Sequence, residues 1–228
     1  MHQPRRFADL AAAVQAEGLT PRGALMLDDR DRNDADLPGE ARWLLLLGGV
    51  GGSLWPSFSL SPELADEARD PLDRWSLRII SGLAEDLGGW ALFPFGGPPY
   101  RPFLRWARAA ERLESSPIGM LIHPHHGLWH AYRGALAFTA APADWQPATP
   151  TPRPCETCAD SPCLSACPVE AFSAAGYDVA RCRAHLATPE GRDCMEGGCL
   201  ARRACPVAPG LAYAGPQAAF HMRAFRGG

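Results

Sequence analysis

The sequence contains no lysine: all 22 of its basic residues are arginine. That removes lysine Schiff-base chemistry and the phosphate-cradling lysine of P-loop proteins. Cysteine is missing from the first 154 residues, and all eight cysteines fall between 155 and 205. No long apolar run occurs. The longest, Trp43 to Leu47, is far short of the about 20 residues that cross a bilayer. The opening MHQPRRFADLAAAVQAEG lacks the apolar stretch of a secretory signal, because Asp9, Gln15 and Glu17 interrupt it. A cytoplasmic chain with no membrane partner is expected. Excess positive charge is absent as well. With a net charge of −3, nucleic acid is not expected as a partner, because affinity for a phosphate backbone rests on a basic surface.

What is present suffices for an ordinary core and a small second module, since 46% of the 228 residues are hydrophobic. Residues 5 to 17 predict a helix, with Phe7, Leu10, Ala11 and Val14 on one face and Gly18 as its stop. Trp43 to Leu47 predicts a buried strand entering a glycine loop, Gly48 to Gly52, which lacks the third glycine of a dinucleotide fingerprint. Asp70-Pro71-Leu72-Asp73 predicts a helix start, with Asp70 as the capping side chain and Leu72, Trp75, Ile79 and Leu83 following at helical spacing. A strand at 90–93, a helix at 102–113 and strands near 118–122 and 129–138 complete an alternating α/β pattern. Five prolines between 142 and 154 predict a stiff, extended linker. The expected division is therefore an N-terminal α/β domain at 1–145, a linker at 146–154, and a cysteine module at 155–228.

The cysteines follow C-x2-C-x4-C-x3-C-P, a lone Cys182, and C-x4-C-x5-C-P. Three closely spaced thiolates can hold three corners of a cubane, while a fourth followed by proline reaches the other cluster in two-cluster ferredoxins. On that logic Cys155, Cys158, Cys163 and Cys205 hold one [4Fe-4S] cluster, and Cys182, Cys194, Cys199 and Cys167 hold the other. Structural disulfides and structural zinc are the competing readings. A reducing compartment disfavours the first, and paired C-P endings with crossed ligands disfavour the second. Both motifs carry extra residues compared with the bacterial C-x2-C-x2-C pattern.

The segment 116–134 gathers His123, His125, His126 and His130 beside Trp129 and Arg133. Four imidazoles could bind a metal, although no carboxylate or cysteine joins them locally. The seven tryptophans would suit the walls of a planar-ligand pocket, but core positions are their commoner use.

Ile122-His123-Pro124, with Gly127, Trp129, Arg133 and Gly134 after it and Asp70-Pro71-Leu72-Asp73 upstream, resembles the CblC family of cobalamin-processing proteins. The His-Pro segment followed by a two-cluster module also resembles epoxyqueuosine reductase. The resemblance implies a nitroreductase-like α/β domain that holds cobalamin, a corrinoid, against His123, Gly127, Trp129 and Arg133, joined to a small bacterial-ferredoxin-like domain. The function it implies is an iron-sulfur oxidoreductase that passes electrons from two clusters to cobalamin, for cobalt reduction or removal of the upper ligand. A flavoprotein or ferredoxin would be its electron donor. The alternatives are an epoxyqueuosine-reductase-like enzyme acting on tRNA, disfavoured by the missing lysine and basic surface, and a ferredoxin-type carrier without corrinoid.

Overall fold

The computed structural model describes residues 6–34, 37–173 and 175–227, so the expected first residue of the opening helix, Arg5, and the last residue of the cysteine module, Gly228, lie outside the described residues. The chain divides into two compact units, one from Met1–Arg112 and Ala131–Pro150, the other from Leu113–His130 and Thr151–Gly228. The expected boundary at 146–154 is thus accompanied by a second exchange. Residues 113–130, expected with the N-terminal domain, group with the cysteine segment. No helix among the described residues is long and apolar enough to cross a membrane.

The first unit is a mixed α/β structure. Its elements are α1 (Phe7–Ala16), β1 (Thr20–Met26), α2 (Asp29–Asp34), β2 (Trp43–Val50), α3 (Trp55–Ser59), α4 (Pro62–Ala65), α5 (Pro71–Leu87), β3 (Trp90–Leu92) and α6 (Phe103–Glu111). After β4 (Glu114–Ser115) and β5 (Leu121–Ile122) of the second unit, β6 (His130–Phe138) completes a sheet of order β1-β2-β6-β3. β1 runs antiparallel to β2, and β3 antiparallel to β6. Trp43 to Leu47 are fully buried, as a central strand covered on both faces requires. β2 continues through Gly48 and Gly49, where the glycine loop was expected. A side chain at Gly48 would strike the Ala131 carbonyl oxygen, so glycine is what lets the strand pass there. Only Gly51, at φ 51°, takes the left-handed turn conformation within that run.

α5 begins at Pro71 and ends at Gly88, whose left-handed backbone returns its N–H to the Ala84 and Glu85 carbonyls. Asp70 does not cap it. Its own backbone is left-handed, at φ 52°, and its side chain makes no capping hydrogen bond. The buried stripe is Leu72, Trp75, Ser76, Ile80 and Leu83, with Ile80 rather than Ile79 at the centre. Trp43, Trp75 and Trp106 are buried core residues of this unit, and Trp145, in the proline-rich stretch, packs edge-on against Trp43 at 5.8 Å between ring centroids. Asp144 accepts the Phe7 backbone N–H at 2.8 Å, so the proline-rich stretch is partly anchored on its own unit.

One buried ionic cluster ties α6 to the sheet. Glu111 accepts from Arg22 Nη2 at 2.7 Å, from the Gly23 backbone N–H at 2.7 Å and from the Tyr132 hydroxyl at 2.9 Å. Burial pushes the Glu111 carboxyl up, but the Arg22 charge, the Gly23 N–H and the Tyr132 hydroxyl outweigh it and hold the pKa below the usual value. Glu111→Ala should destabilise this unit by about 3 kcal/mol, because it strands a buried guanidinium. A depressed folded pKa gives stability that is present above the unfolded value and lost as pH falls through the folded one. Wild-type stability should therefore decline towards acid more steeply than that of Glu111→Gln. Chemical denaturation at a series of pH values measures both effects, and parallel pH profiles for the two proteins would refute the second.

The second unit contains β4, β5, α7 (Pro162–Ser165), β7 (Phe172–Ser173), β8 (Gly176–Tyr177), α8 (Val179–Leu186), α9 (Arg192–Gly197), α10 (Leu200–Arg203) and α11 (Gly215–Gly227). β4 pairs with β5, and β7 with β8, both antiparallel. Its apolar core is small and unusual in composition. Ile118, Ile122, Leu128, Ala171 and Ala201 share it with Cys163, Cys167 and Cys205, so thiols take the places of large aliphatic side chains.

Candidate metal centre

Cys155, Cys158, Cys163 and Cys205 line one cavity, whose other walls include Pro117, Ile122, Leu128, Pro162 and Val207. Each comes from a different local element. Cys155 lies in a 3-10 turn over Pro154–Glu156, Cys158 in the loop after it, Cys163 in α7, and Cys205 just past α10. All eight cysteines are free thiols, with no disulfide among them. Burial pushes the Cys155 thiol up in pKa, and the thiols of Cys205, Cys163 and Cys158 push it further, because neighbouring thiolates repel. Cys163 is raised in the same way, by burial first and then by Cys205 and Cys158.

The other four cysteines are Cys167 and Cys194, which are buried, and Cys182 and Cys199, which are half-buried. Burial raises Cys194 and Cys199, and the Cys182 thiol adds to both. Burial raises the Tyr177 pKa, and the Cys182 thiol, with Cys199 and Cys167 as further neighbours, raises it again. The Ala171 backbone N–H donates to Cys167 Sγ at 3.3 Å. Backbone N–H groups of Arg202 and Ala201 also face Cys199, and that of Leu200 faces Cys194. Such N–H···S bonds favour the thiolate, which is the form that ligates iron.

Among the described residues, no three His, Cys, Asp or Glu side chains meet closely enough to ligate a single ion. The four thiols around the first cavity share a space without converging on a point. Four thiols spread around one cavity, Cys163 and Cys205 buried and Cys155 and Cys158 half-buried, fit a polynuclear iron group whose own positive charge offsets thiolate repulsion.

The four histidines are placed otherwise. His123 Nδ1 accepts the backbone N–H groups of His125 at 3.0 Å and His126 at 3.2 Å, so its proton sits on Nε2. The His123 ring stacks on His126 at 4.0 Å. His130 Nε2 donates to the Leu121 carbonyl at 3.0 Å. Gly127, at φ 55°, closes the His123 turn, and a side chain there would run into the Val207 carbonyl oxygen. Trp129 is buried under the Arg202 guanidinium, 4.4 Å from its ring centroid, with Tyr213 at 5.3 Å. Arg133 belongs to the first unit, where it bonds Asp73 and donates to Ser76 Oγ at 3.0 Å. The chain therefore brings His123, Gly127 and Trp129 into the thiol-bearing unit and employs Arg133 elsewhere.

Sequence reasoning passed over Arg202, which donates twice to the Leu128 carbonyl, at 3.0 and 2.6 Å, and packs between Trp129 and Tyr213. Lying between Cys199 and Cys205, it fastens the His-Pro segment to the span that joins the two thiol sets. An arginine in a cysteine motif carries no spacing signal of its own, so only the fold reveals this role.

No protein-family model matches the sequence, and no curated protein matches it. Solved structures do. A selenomethionine-labelled epoxyqueuosine reductase superposes with a TM-score of 0.50 at 14% identity, over 91% of this chain and 67% of that one. Epoxyqueuosine reductase with an epoxyqueuosine-modified stem loop of tyrosine tRNA gives 0.51 at 14% identity, over 90% and 66%. The Bacillus subtilis enzyme, with its catalytic loop swung out of the active site, gives 0.50 at 12% identity, again over 90% and 66%. The chain shares its fold with epoxyqueuosine reductase. It spans about two thirds of the length of those reductases.

Proposed function

We propose that the chain is an iron-sulfur oxidoreductase of the epoxyqueuosine reductase kind, with two [4Fe-4S] clusters in the cysteine-bearing unit. Cys155, Cys158, Cys163 and Cys205 would hold one, and Cys182, Cys194, Cys199 and Cys167 the other, within a ferredoxin-like module. The observation that carries the reading is the first cavity, where Cys205 joins three thiols from the other end of the motif. When bound, the clusters supply single electrons at low potential. The chain's own residues hold the thiolates, exclude water with Ile122, Leu128 and Val207, and aim backbone N–H groups at sulfur.

The substrate proposed is an epoxide-bearing modified nucleoside in a tRNA stem loop, as the name and bound stem loop of the neighbouring structures suggest. This reverses the expectation drawn from net charge, which describes the whole surface and not one binding face. Removing an epoxide oxygen as water takes two electrons and two protons, a demand that two one-electron carriers meet. Reduced protein incubated anaerobically with an epoxyqueuosine-containing stem loop should yield a nucleoside lighter by one oxygen on mass spectrometry. Cys158→Ala should yield none. No conversion by fully loaded protein would overturn the substrate assignment.

A corrinoid-reductase reading uses the same electron supply, and one observation favours it: the His123–Gly127 turn abuts the backbone just after Cys205. The nitroreductase-like domain and the bound cobalamin remain part of that second reading. Against it, Trp129 and Arg133 are engaged within their own units. A visible-spectrum titration with hydroxocobalamin separates the two readings. Either enzyme would work in a reducing, cytoplasmic setting with a flavoprotein or ferredoxin as donor.

A further inference from the structure

The cavity of the first thiol set has a buried polar feature that lies outside the cysteine motif. Ser116 lies in its wall, 6% exposed, and its hydroxyl has no hydrogen-bond partner among the described residues. The Ser116 backbone is satisfied within its own turn. Its N–H donates to the Met120 carbonyl at 2.7 Å, and its carbonyl accepts from Gly119 N–H at 2.9 Å. Beside it, Pro117, Ile122 and Leu128 are apolar. A buried hydroxyl left unpaired is unfavourable, so an alanine would sit there more comfortably if the cavity stayed empty. Four thiol sulfurs share the cavity wall with the Ser161 side chain, and the Ser116 hydroxyl bonds none of them.

We propose that Ser116 is a positioning residue for the first cluster, its hydroxyl donating to a sulfur of the group held by Cys155, Cys158, Cys163 and Cys205. The inference rests on the cluster reading above and adds a residue from the 113–130 segment, outside the cysteine motifs. Reduction places negative charge on the sulfurs, and a donor aimed at one of them stabilises the reduced form more than the oxidised form. Ser116 therefore sets the reduction potential of this cluster higher than an apolar wall would.

The test is an EPR-monitored redox titration of full-length, cluster-loaded protein. Ser116→Ala should lower the midpoint of one cluster only, by about tenfold in its equilibrium with a one-electron mediator, which is about 59 mV. Ser116→Thr should keep the parent potential, while Ser115→Ala, a control on the neighbouring residue of β4, should leave both midpoints unchanged. Should Ser116→Ala lose its cluster, Ser116→Thr and Ser116→Val form a second pair of equal shape that differs by the hydroxyl, with the same shift expected between them. Equal midpoints within either loaded pair would overturn the role of Ser116 and leave the cluster reading intact. A parent protein that holds no cluster would overturn that reading itself.

Discussion

Gly127→Ala is expected to destabilise the cysteine-bearing unit by about 3 kcal/mol and to impair retention of the first cluster, through two costs that add at one position. The first is conformational. Gly127 holds φ at 55°, where a Cβ crowds the following backbone. The second is steric, because that Cβ would meet the Val207 carbonyl oxygen, and backbone cannot rotate away as a side-chain tip can. The displaced residues follow directly on Cys205-Pro206, so the strain falls on the thiol that reaches across the motif. Gly119 separates the two costs. It also has a positive φ, 81°, but nothing stands within 4 Å of a Cβ built there. Gly119→Ala should cost about 1 kcal/mol and leave iron binding unaltered. Thermal unfolding followed through the cluster absorbance compares the variants, and equal losses would show that contact with Val207 is unimportant.

The second large effect concerns crossed ligation. Cys205→Ala should abolish the cluster of Cys155, Cys158 and Cys163 and spare the one near Tyr177. Cys199→Ala, only six positions earlier, should do the opposite. The thiol core adds a structural consequence. Cys163, Cys167 and Cys205 are buried among few aliphatic residues, so this unit has little apolar area with which to fold when its clusters are missing. Loss of either cluster should loosen the second unit, while the first, with Trp43, Trp75 and Trp106 in its own core, keeps a separate transition. Each variant should retain about four irons, one cubane's worth. Identical spectra from Cys205→Ala and Cys199→Ala would contradict the partition.

Strong local patterns made several elements legible in the sequence. The unbroken Trp43 to Leu47 run foretold a fully buried strand, and Pro71 with Gly88 bracketed α5 as N- and C-terminal signals should. Asp70 failed as a cap although its residue type was right, because its left-handed backbone leaves its side chain without the capping bond. Ile79 and Ile80 were ambiguous for another reason: adjacent apolar residues both fit a helical stripe, and packing alone chose Ile80. The membership of 113–130 was hidden because a proline-rich stretch marks a boundary along the chain and says nothing of a segment that leaves one unit and returns. At the candidate site, cysteine spacing pointed to thiol ligands, since ligation by fixed residue types leaves a readable trace, and the fold gathers Cys155, Cys158, Cys163 and Cys205 around one cavity. Ser116 and Arg202 left none, as a serine in a turn and an arginine on a short helix are ordinary until the fold places one in a thiol cavity and the other between two aromatic rings.

The central claim, that eight thiols hold two four-iron clusters, is tested most directly by iron and sulfide analysis of anaerobically purified parent protein with its Mössbauer spectrum. The account predicts about eight irons and eight sulfides per chain, all in cubane clusters. About two zinc ions with no iron and no thiolate-to-iron absorption would contradict it.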